Sequence, residues 1–159
     1  MSLFACGQSN NRNAVPIQEK DTTQNTHFVL DTSVIVILPI NVDHKWLFKD
    51  TTSINLTNKE LQTADSLLNE CVRVHNINQD STKRFSEFID LKKYKRQYVA
   101  FANPKGERKV FINCLCSSVH FGYWKKGIVQ VLDGGSCFFH VTINLTKLNY
   151  ERLFVNGSG

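Results

Sequence analysis

The stretch Leu56-Thr57-Asn58-Lys59-Glu60-Leu61 predicts the start of a helix. Thr57 supplies a hydroxyl at the N-cap and Glu60 a carboxylate three residues later, so each side chain can accept a hydrogen bond from a backbone N–H that the first turn leaves unpaired. The apolar positions that follow are spaced by three and four, as on one buried helical face: Leu61, Ala64, Leu67, Leu68, Cys71, Val72 and His75. We therefore expect one amphipathic helix that ends near Asn76.

Beyond this helix the apolar period changes to two, which is typical of β-strands. Residues 85–89 allow a weaker helical turn first. Residues 94–102 and 108–117 then alternate on either side of Asn103-Pro104-Lys105-Gly106, a turn in which proline fixes φ and glycine accepts a positive φ. This pattern predicts a hairpin, and residues 127–132 predict a third strand.

Asp133-Gly134-Gly135 connects that third strand to the next alternating run. Adjacent glycines both tolerate a positive φ, so this tripeptide predicts a second hairpin turn. It does not indicate a phosphate-binding loop, because the lysine and the following helix of such a loop are missing. One face of the returning strand is apolar and is expected to pack on the helix: Cys137, Phe139, Val141, Ile143 and Leu145. The opposite face is more polar: Phe138, His140, Thr142 and Asn144.

The order of these elements predicts the fold class α+β. One long helix followed by strands with short turns, the last at 150–155, is expected to form a four-stranded antiparallel sheet with the helix across one face. Cystatin-like and nuclear-transport-factor-2-like domains have this arrangement. Before the helix, residues 34–38 predict a short buried strand or an extended segment, and Trp46, Leu47 and Phe48 predict either a loop anchor or a partner-binding patch.

The chain of 159 residues suits a single domain, which we place at 27–159 after a flexible tail at 1–26. Residues 9–26 are rich in Asn, Gln, Thr and Ser, as in a tether. Leu3-Phe4-Ala5-Cys6 resembles the end of a bacterial lipoprotein signal peptide, in which the cysteine receives the lipid, although the preceding basic and apolar segments are missing. Two interpretations stay open: a cell-envelope lipoprotein anchored at Cys6, or a cytoplasmic protein with a disordered start.

Charge and composition exclude few functions. The net charge of +5 is a mild excess that suits an acidic partner without indicating nucleic acid. No apolar run reaches the roughly 18 residues of a membrane-spanning helix. Basic residues cluster around the first hairpin beside Tyr94 and Tyr98: Lys92, Lys93, Lys95, Arg96, Lys105, Arg108 and Lys109. The cluster allows two interpretations, a weak binder of single-stranded nucleic acid or a charged edge that discourages aggregation.

Five cysteines are present, and four remain in the domain if Cys6 carries a lipid. Cys114 and Cys116 share a strand face and are poorly placed to pair with each other, but either can meet Cys137 across neighbouring strands. Reduced core thiols are the alternative. A zinc site formed by these three cysteines and His140 is disfavoured because His140 alternates to the other face, and we predict neither a metal nor a cofactor.

Several motifs in order resemble one protein family. They are Trp46-Leu47-Phe48, the Leu-Thr-x-x-Glu-Leu cap, Tyr94-Lys95-Arg96-Gln97-Tyr98, Ile112-Asn113-Cys114-Leu115-Cys116, residues 133–139 and Val155-Asn156-Gly157. Over residues 46–157 the chain resembles an uncharacterised family of small, often secreted or lipoprotein-like proteins of Bacteroidetes-type bacteria. The resemblance implies export but no activity and no site residues. The loop with Val119 and His120 departs from the more acidic stretch expected there.

Together these patterns favour a non-catalytic binding or interaction domain over an enzyme. The predicted binding surface is the open sheet face with Tyr98, Trp124, Phe138, His140 and Thr142. The alternative from another class is a small cysteine-dependent hydrolase that uses Cys116 or Cys137 with His120 or His140. A protein or small ligand of the cell envelope is the expected partner, and the sequence does not identify it.

Overall fold

A computed structural model of the chain describes residues 29–79, 88–116, 121–151 and 153–157. These residues form one α-helix and seven β-strands. The predicted tail at 1–26 with Cys6, residues 85–87 of the predicted helical turn, and the loop with Val119 and His120 lie outside the described residues.

Helix α1 spans Asn58–Ile77, and its predicted start is confirmed. The Thr57 hydroxyl accepts from the N–H of Glu60 at 3.2 Å, and the Glu60 carboxylate accepts from the N–H of Thr57 at 2.9 Å. Arg108 donates to the same carboxylate from the sheet, and chiefly for this reason the pKa of Glu60 is lowered to about 2. The helix start is thus capped locally and also tied to the sheet.

Replacing Thr57 with alanine tests the cap. We expect the free energy of unfolding to fall by about 1 kcal/mol, because the N–H of Glu60 loses its acceptor. Urea denaturation followed by circular dichroism measures the change. Thr63→Ala is the matched control, since Thr63 lies inside the helix, where alanine is the better helix former. Equal losses in the two variants would contradict the role of the cap.

The seven strands form one mixed sheet. They are β1 Ile35–Leu38, β2 Thr52–Ser53, β3 Tyr94–Ala102, β4 Arg108–Cys116, β5 Phe138–Asn144, β6 Asn149–Tyr150 and β7 Phe154–Val155. Strands β3, β4 and β5 are antiparallel neighbours in that order. On the outer side of β3, β1 pairs in parallel and β2 antiparallel, while β6 and β7 both pair with the outer side of β5.

The predicted α+β class with a single helix on a sheet is therefore confirmed for the described residues, and the predicted four-stranded, purely antiparallel sheet is wrong. The run at 34–38 joins the edge of β3 in parallel, and the run predicted at 150–155 is replaced by the two short strands β6 and β7. The pairing of β1 with β3 and of β7 with β5 joins residues distant in sequence, so local patterns do not specify it, whereas β6 follows β5 through a tight turn. The likeness to cystatin-like or nuclear-transport-factor-2-like domains stays a prediction.

Helix α1 packs on the sheet face that the alternation of β5 predicts. Phe139, Val141 and Ile143 are buried there against the apolar stripe of the helix. Full burial of each such side chain contributes about 1.5–3 kcal/mol. Arg96 of β3 also forms an ion pair with Asp65 of α1 at 2.6 Å. The helix is therefore held both by its apolar face and by polar contacts to β3.

The opposite face of the sheet is crossed by residues 121–134, which we call the strap. The prediction of a third strand at 127–132 is wrong, because β5 pairs directly with β4. The glycine pair is nevertheless a bend into β5, with φ of 93° at Gly134 and 56° at Gly135. A Cβ atom at Gly134 would lie 2.7 Å from the ring of Phe138, so this turn requires glycine.

Candidate functional site

A row of paired residues crosses the sheet on the strap side. Gln97 of β3 pairs with Asn113 of β4, Asn113 pairs with His140 of β5, and His140 pairs with Phe154 of β7. Gln97 is fully buried, and the other three are partly exposed or exposed. The polar members of this row have different roles, because the strap covers some of them and leaves His140 uncovered.

Gln97 and Asn113 hold the strap against the sheet. The amide nitrogen of Gln97 donates to the C=O groups of Trp124 and Gly127, and its amide oxygen accepts from the N–H of Val129 at 2.9 Å. Asn113 donates to the C=O of Val129 at 2.8 Å and to the amide oxygen of Gln97 at 2.9 Å. These side chains therefore satisfy the buried backbone groups that a neighbouring strand would otherwise pair.

A cavity of about 300 Å³ opens beside the strap, above His140. This volume is at the low end of the range for ligand pockets. None of its lining residues is Asp, Glu, Lys or Arg: Trp46, Leu47, Phe111, Asn113, Ile128, Val129, Gln130, Val131, Leu132, Phe138, His140, Phe154 and Asn156. We call this cavity the sheet-face pocket. Its composition suits an uncharged, mainly apolar ligand.

Four exposed apolar side chains gather around the sheet-face pocket. Leu132 is 100% exposed, Trp46 67%, Phe154 51% and Leu47 36%. Single exposed apolar residues are common on protein surfaces, whereas several around one cavity are typical of a binding site. They come from three separate parts of the chain, which only the fold brings together.

His140 lies on the floor of the pocket between two aromatic rings. Its ring stacks on Phe154 with centroids 5.0 Å apart and is tilted against Phe111 at 5.2 Å. Burial lowers the pKa of His140 below 6.5, so the imidazole is neutral at pH 7 and offers one donor and one acceptor. Among the described residues, neither ring nitrogen has a hydrogen-bond partner. Both are available to a ligand.

The pKa of His140 gives a test of its burial. We expect its ring protons to titrate with a midpoint below 6.5 in an NMR pH series. Because the unfolded chain binds this proton more tightly, the contribution of His140 to stability is complete above pH 6.5 and decreases as the pH falls below that value. His140→Gln should lose this part of the pH dependence. A midpoint at or above 6.5 would show that the ring is solvated.

The pocket contains two of the five residues predicted as the binding surface. Phe138 and His140 line it. Thr142 is on the same face of β5 but outside the lining, in register with Phe111 of β4. The more polar face of β5 therefore contributes Phe138 and His140 to the pocket but not Thr142.

The other two predicted residues, Trp124 and Tyr98, lie elsewhere. Trp124 is in the strap, but its ring is buried against Leu115 and is 8% exposed. The prediction that Tyr98 belongs to the binding surface is corrected. Tyr98 projects to the helix side of the sheet, is 1% exposed and donates its hydroxyl to Asp65 at 3.2 Å. Its neighbour Gln97 faces the strap, and adjacent residues of a strand alternate.

Several pocket residues were not part of the predicted surface. In the run Trp46-Leu47-Phe48, proposed as an anchor or a patch, Phe48 packs inward and Trp46 stays exposed, so each alternative describes part of the run. Leu132 and Phe154 carried no signal except their position at a turn and near a strand end. They line the pocket because the fold brings the strap and β7 to the same cavity.

The cysteines are divided between one disulfide and two buried thiols. Cys137 is bonded to Cys116, with Cα atoms 4.8 Å apart, and Cys71 and Cys114 are free. Burial raises the pKa of Cys71 to about 11 and also raises that of Cys114, which disfavours the reactive thiolate. The disulfide occupies both cysteines that the hydrolase alternative assigned as nucleophile. Over the described ranges, no three His, Cys, Asp or Glu residues are placed to hold a metal ion.

The basic cluster at the first hairpin is partly neutralised. Three of its members form ion pairs: Arg96 with Asp65, Arg108 with Glu60, and Lys109 with Glu151. Tyr94 and Tyr98 are buried on the helix side. Bases of a single strand stack on exposed aromatic rings, so this arrangement does not support the nucleic-acid alternative.

Two further observations concern membrane-spanning helices and similarity to known proteins. Across the described part of the chain, no helix has both the length and the apolar character needed to cross a bilayer. Comparisons with protein-family models, with curated proteins and with solved structures find no match to this chain.

Proposed function

We propose that this protein is a non-catalytic binding domain whose ligand occupies the sheet-face pocket. The observation that supports the proposal is the convergence of Trp46, Leu47, Leu132 and Phe154 on one uncharged cavity. Covering these side chains on binding contributes roughly 25 cal/mol per Å² of apolar area. His140 adds a neutral donor and acceptor at the floor, so the ligand is mainly apolar with one hydrogen-bonding group.

A screen of small aromatic and aliphatic fragments by two-dimensional ¹⁵N NMR tests the pocket. We expect the shifted amide signals to come from residues 46–47, 128–132, 138–140 and 154. Trp46→Ala should weaken binding of such fragments by about tenfold, because an exposed aromatic wall of the pocket is lost. Trp46 also serves as a fluorescent reporter, since the ring of Trp124 is buried elsewhere.

Ile77→Ala is the matched control for Trp46→Ala. Ile77 is 65% exposed at the end of α1 and is not part of the pocket lining. Its replacement should leave fragment affinity unchanged. Fragments that bind at other surfaces, or equal losses in the two variants, would contradict the assignment of the pocket.

We also propose that the protein is exported to the bacterial cell envelope, with Cys6 as its lipid attachment site. The disulfide Cys116–Cys137 supports export, because such bonds persist in oxidising compartments. The family resemblance of residues 46–157 also favours export. Thiol alkylation of acid-quenched native cells is the test: Cys116 and Cys137 should react only after reduction, and their alkylation without reductant would indicate the cytoplasm.

A further inference from the structure

We propose that the ligand of the sheet-face pocket is an extended peptide, which adds as a β-strand to the outward edge of the strap. The inference rests on the proposed binding function and specifies its ligand class. The peptide segment is uncharged and carries apolar side chains at alternate positions, one of which fills the pocket.

The strap has the side-chain pattern of an extended chain at residues 128–131. Ile128 packs in one apolar cluster, together with Val99 and Phe101. Val129 and Val131 pack in the other, together with Leu115. Val129 and Val131 thus share a cluster that Ile128 does not belong to, and such a period of two is characteristic of a β-conformation. This part of the strap therefore resembles a strand, although it has no strand beside it.

The backbone of the strap uses one edge and leaves the other free. The N–H and C=O of Val129 point to the sheet, where they bind Gln97 and Asn113. In an extended chain the backbone groups of successive residues alternate in direction, so those of Gln130 and Leu132 point away from the sheet. Within the described residues they have no hydrogen-bond partner, and both residues are exposed.

A free backbone edge distinguishes a peptide from other apolar ligands. Its alternating N–H and C=O groups match another extended backbone, as in β-strand addition, whereas a small apolar molecule leaves them unused. The uncharged pocket lining also disfavours a charged side chain. The free edge thus specifies the extended backbone of the ligand, and the pocket specifies one of its uncharged side chains.

The pocket lies on the side where such a peptide would place alternate side chains. Residues 128–132 all line the pocket from the strap, so a strand added to the strap would run along the pocket. A strand added to the strap would direct every second side chain to the same side, above the cavity and between Trp46 and Phe154. The volume of about 300 Å³ accommodates one large apolar side chain.

Selection from a library of random linear eight-residue peptides, displayed on phage, tests the proposal. The full chain is the target, and peptides that also bind the Trp46→Ala variant are removed. We expect the enriched peptides to share apolar residues at alternate positions and no charge between them. Failure to enrich any Trp46-dependent peptide would overturn the inference.

N-methylation of one enriched peptide, one amide at a time, then tests strand addition directly. Methylating the amides that face the strap should weaken binding by about tenfold each, whereas methylating the intervening amides should have little effect, because only alternate amides donate to an edge. Equal sensitivity at all positions, or at none, would overturn the proposed geometry.

A variant of the strap gives the reciprocal test. Gln130→Pro removes one unpaired N–H and favours an extended residue at 129, so we expect the fold to be retained and peptide affinity to fall by about tenfold. Gln130→Ala keeps this N–H and should lose clearly less affinity than Gln130→Pro, while Ile77→Ala, which lies outside the pocket lining, is the control and should bind as wild type. Thermal unfolding checks that both Gln130 variants are folded. If Gln130→Pro is unfolded, the binding of the N-methylated peptides alone tests strand addition.

The outcomes separate this inference from the proposed function. Trp46-dependent binding of small fragments without peptide binding would leave the binding domain in place and overturn the peptide. If neither fragments nor peptides bind at the pocket, both proposals fail. A concentration-dependent dimer in sedimentation experiments that Trp46→Ala abolishes would identify a second copy of the chain as the occupant and would also overturn the peptide.

Discussion

Replacing Gln97 with leucine is expected to lower the free energy of unfolding by about 4 kcal/mol, because several buried groups lose their partner at once. The N–H of Val129 loses its acceptor, and the C=O groups of Trp124 and Gly127 lose their donor. Leucine has a similar volume, so the loss reports on hydrogen bonding rather than on a cavity. Urea denaturation measures the change.

Two related variants define the expected order of effects. Asn113→Leu should cost less than Gln97→Leu, since Asn113 donates to only one C=O of the strap. Gln130→Leu should change stability by no more than about 0.5 kcal/mol, because Gln130 is an exposed residue of the same strap. If Gln97→Leu is as stable as Gln130→Leu, the buried amide does not hold the strap.

Removing the disulfide by the double replacement Cys116→Ser and Cys137→Ser should cost about 3 kcal/mol, as expected for a loop of this length. The bond joins residues 21 apart and closes a loop that contains the whole strap. We expect the melting temperature to fall by roughly 10 °C. Fragment binding at the pocket should also weaken, because one wall of the pocket belongs to the freed loop.

The control for this experiment is Cys114→Ala. Cys114 is a free, buried thiol on the same strand, two residues from Cys116. Its truncation should cost about 1 kcal/mol through lost packing. A reducing agent should lower the melting temperature of wild type and of Cys114→Ala alike and leave the double variant unchanged. Equal stability of wild type with and without reductant would contradict a stabilising role of the bond.

The elements that sequence reasoning predicted well depend on local interactions. The start of α1 follows from hydrogen bonds between residues three apart, Thr57 and Glu60. The hairpin of β3 and β4 follows from a short turn between two alternating runs. The faces of β5 follow from alternation, so Phe139 and His140 were assigned to opposite sides correctly. Each of these signals lies within a few residues of the structure it specifies.

The errors concern choices between partners that are distant in sequence. Residues 127–132 have the composition of a strand, but β5 occupies the edge of β4 and the amides of Gln97 and Asn113 satisfy the strap backbone instead. Tyr98 was placed on the binding face, although its position beside the strap-facing Gln97 puts it under α1. No local pattern specifies the position of the strap, whereas the register of the β3–β4 hairpin pairs Tyr98 with the buried Ile112 and could have placed Tyr98 under α1.

Local patterns in the amino-acid order predict an α+β chain with a capped amphipathic helix and strands of period two, because caps, turns and periodicity act over a few residues. The convergence of Trp46, Leu132 and Phe154 on one cavity above His140 is visible only in the folded chain. The backbone groups of the strap can find hydrogen-bond partners in several ways, and burial of Trp124, Ile128 and Val129 against the assembled sheet selects one of them.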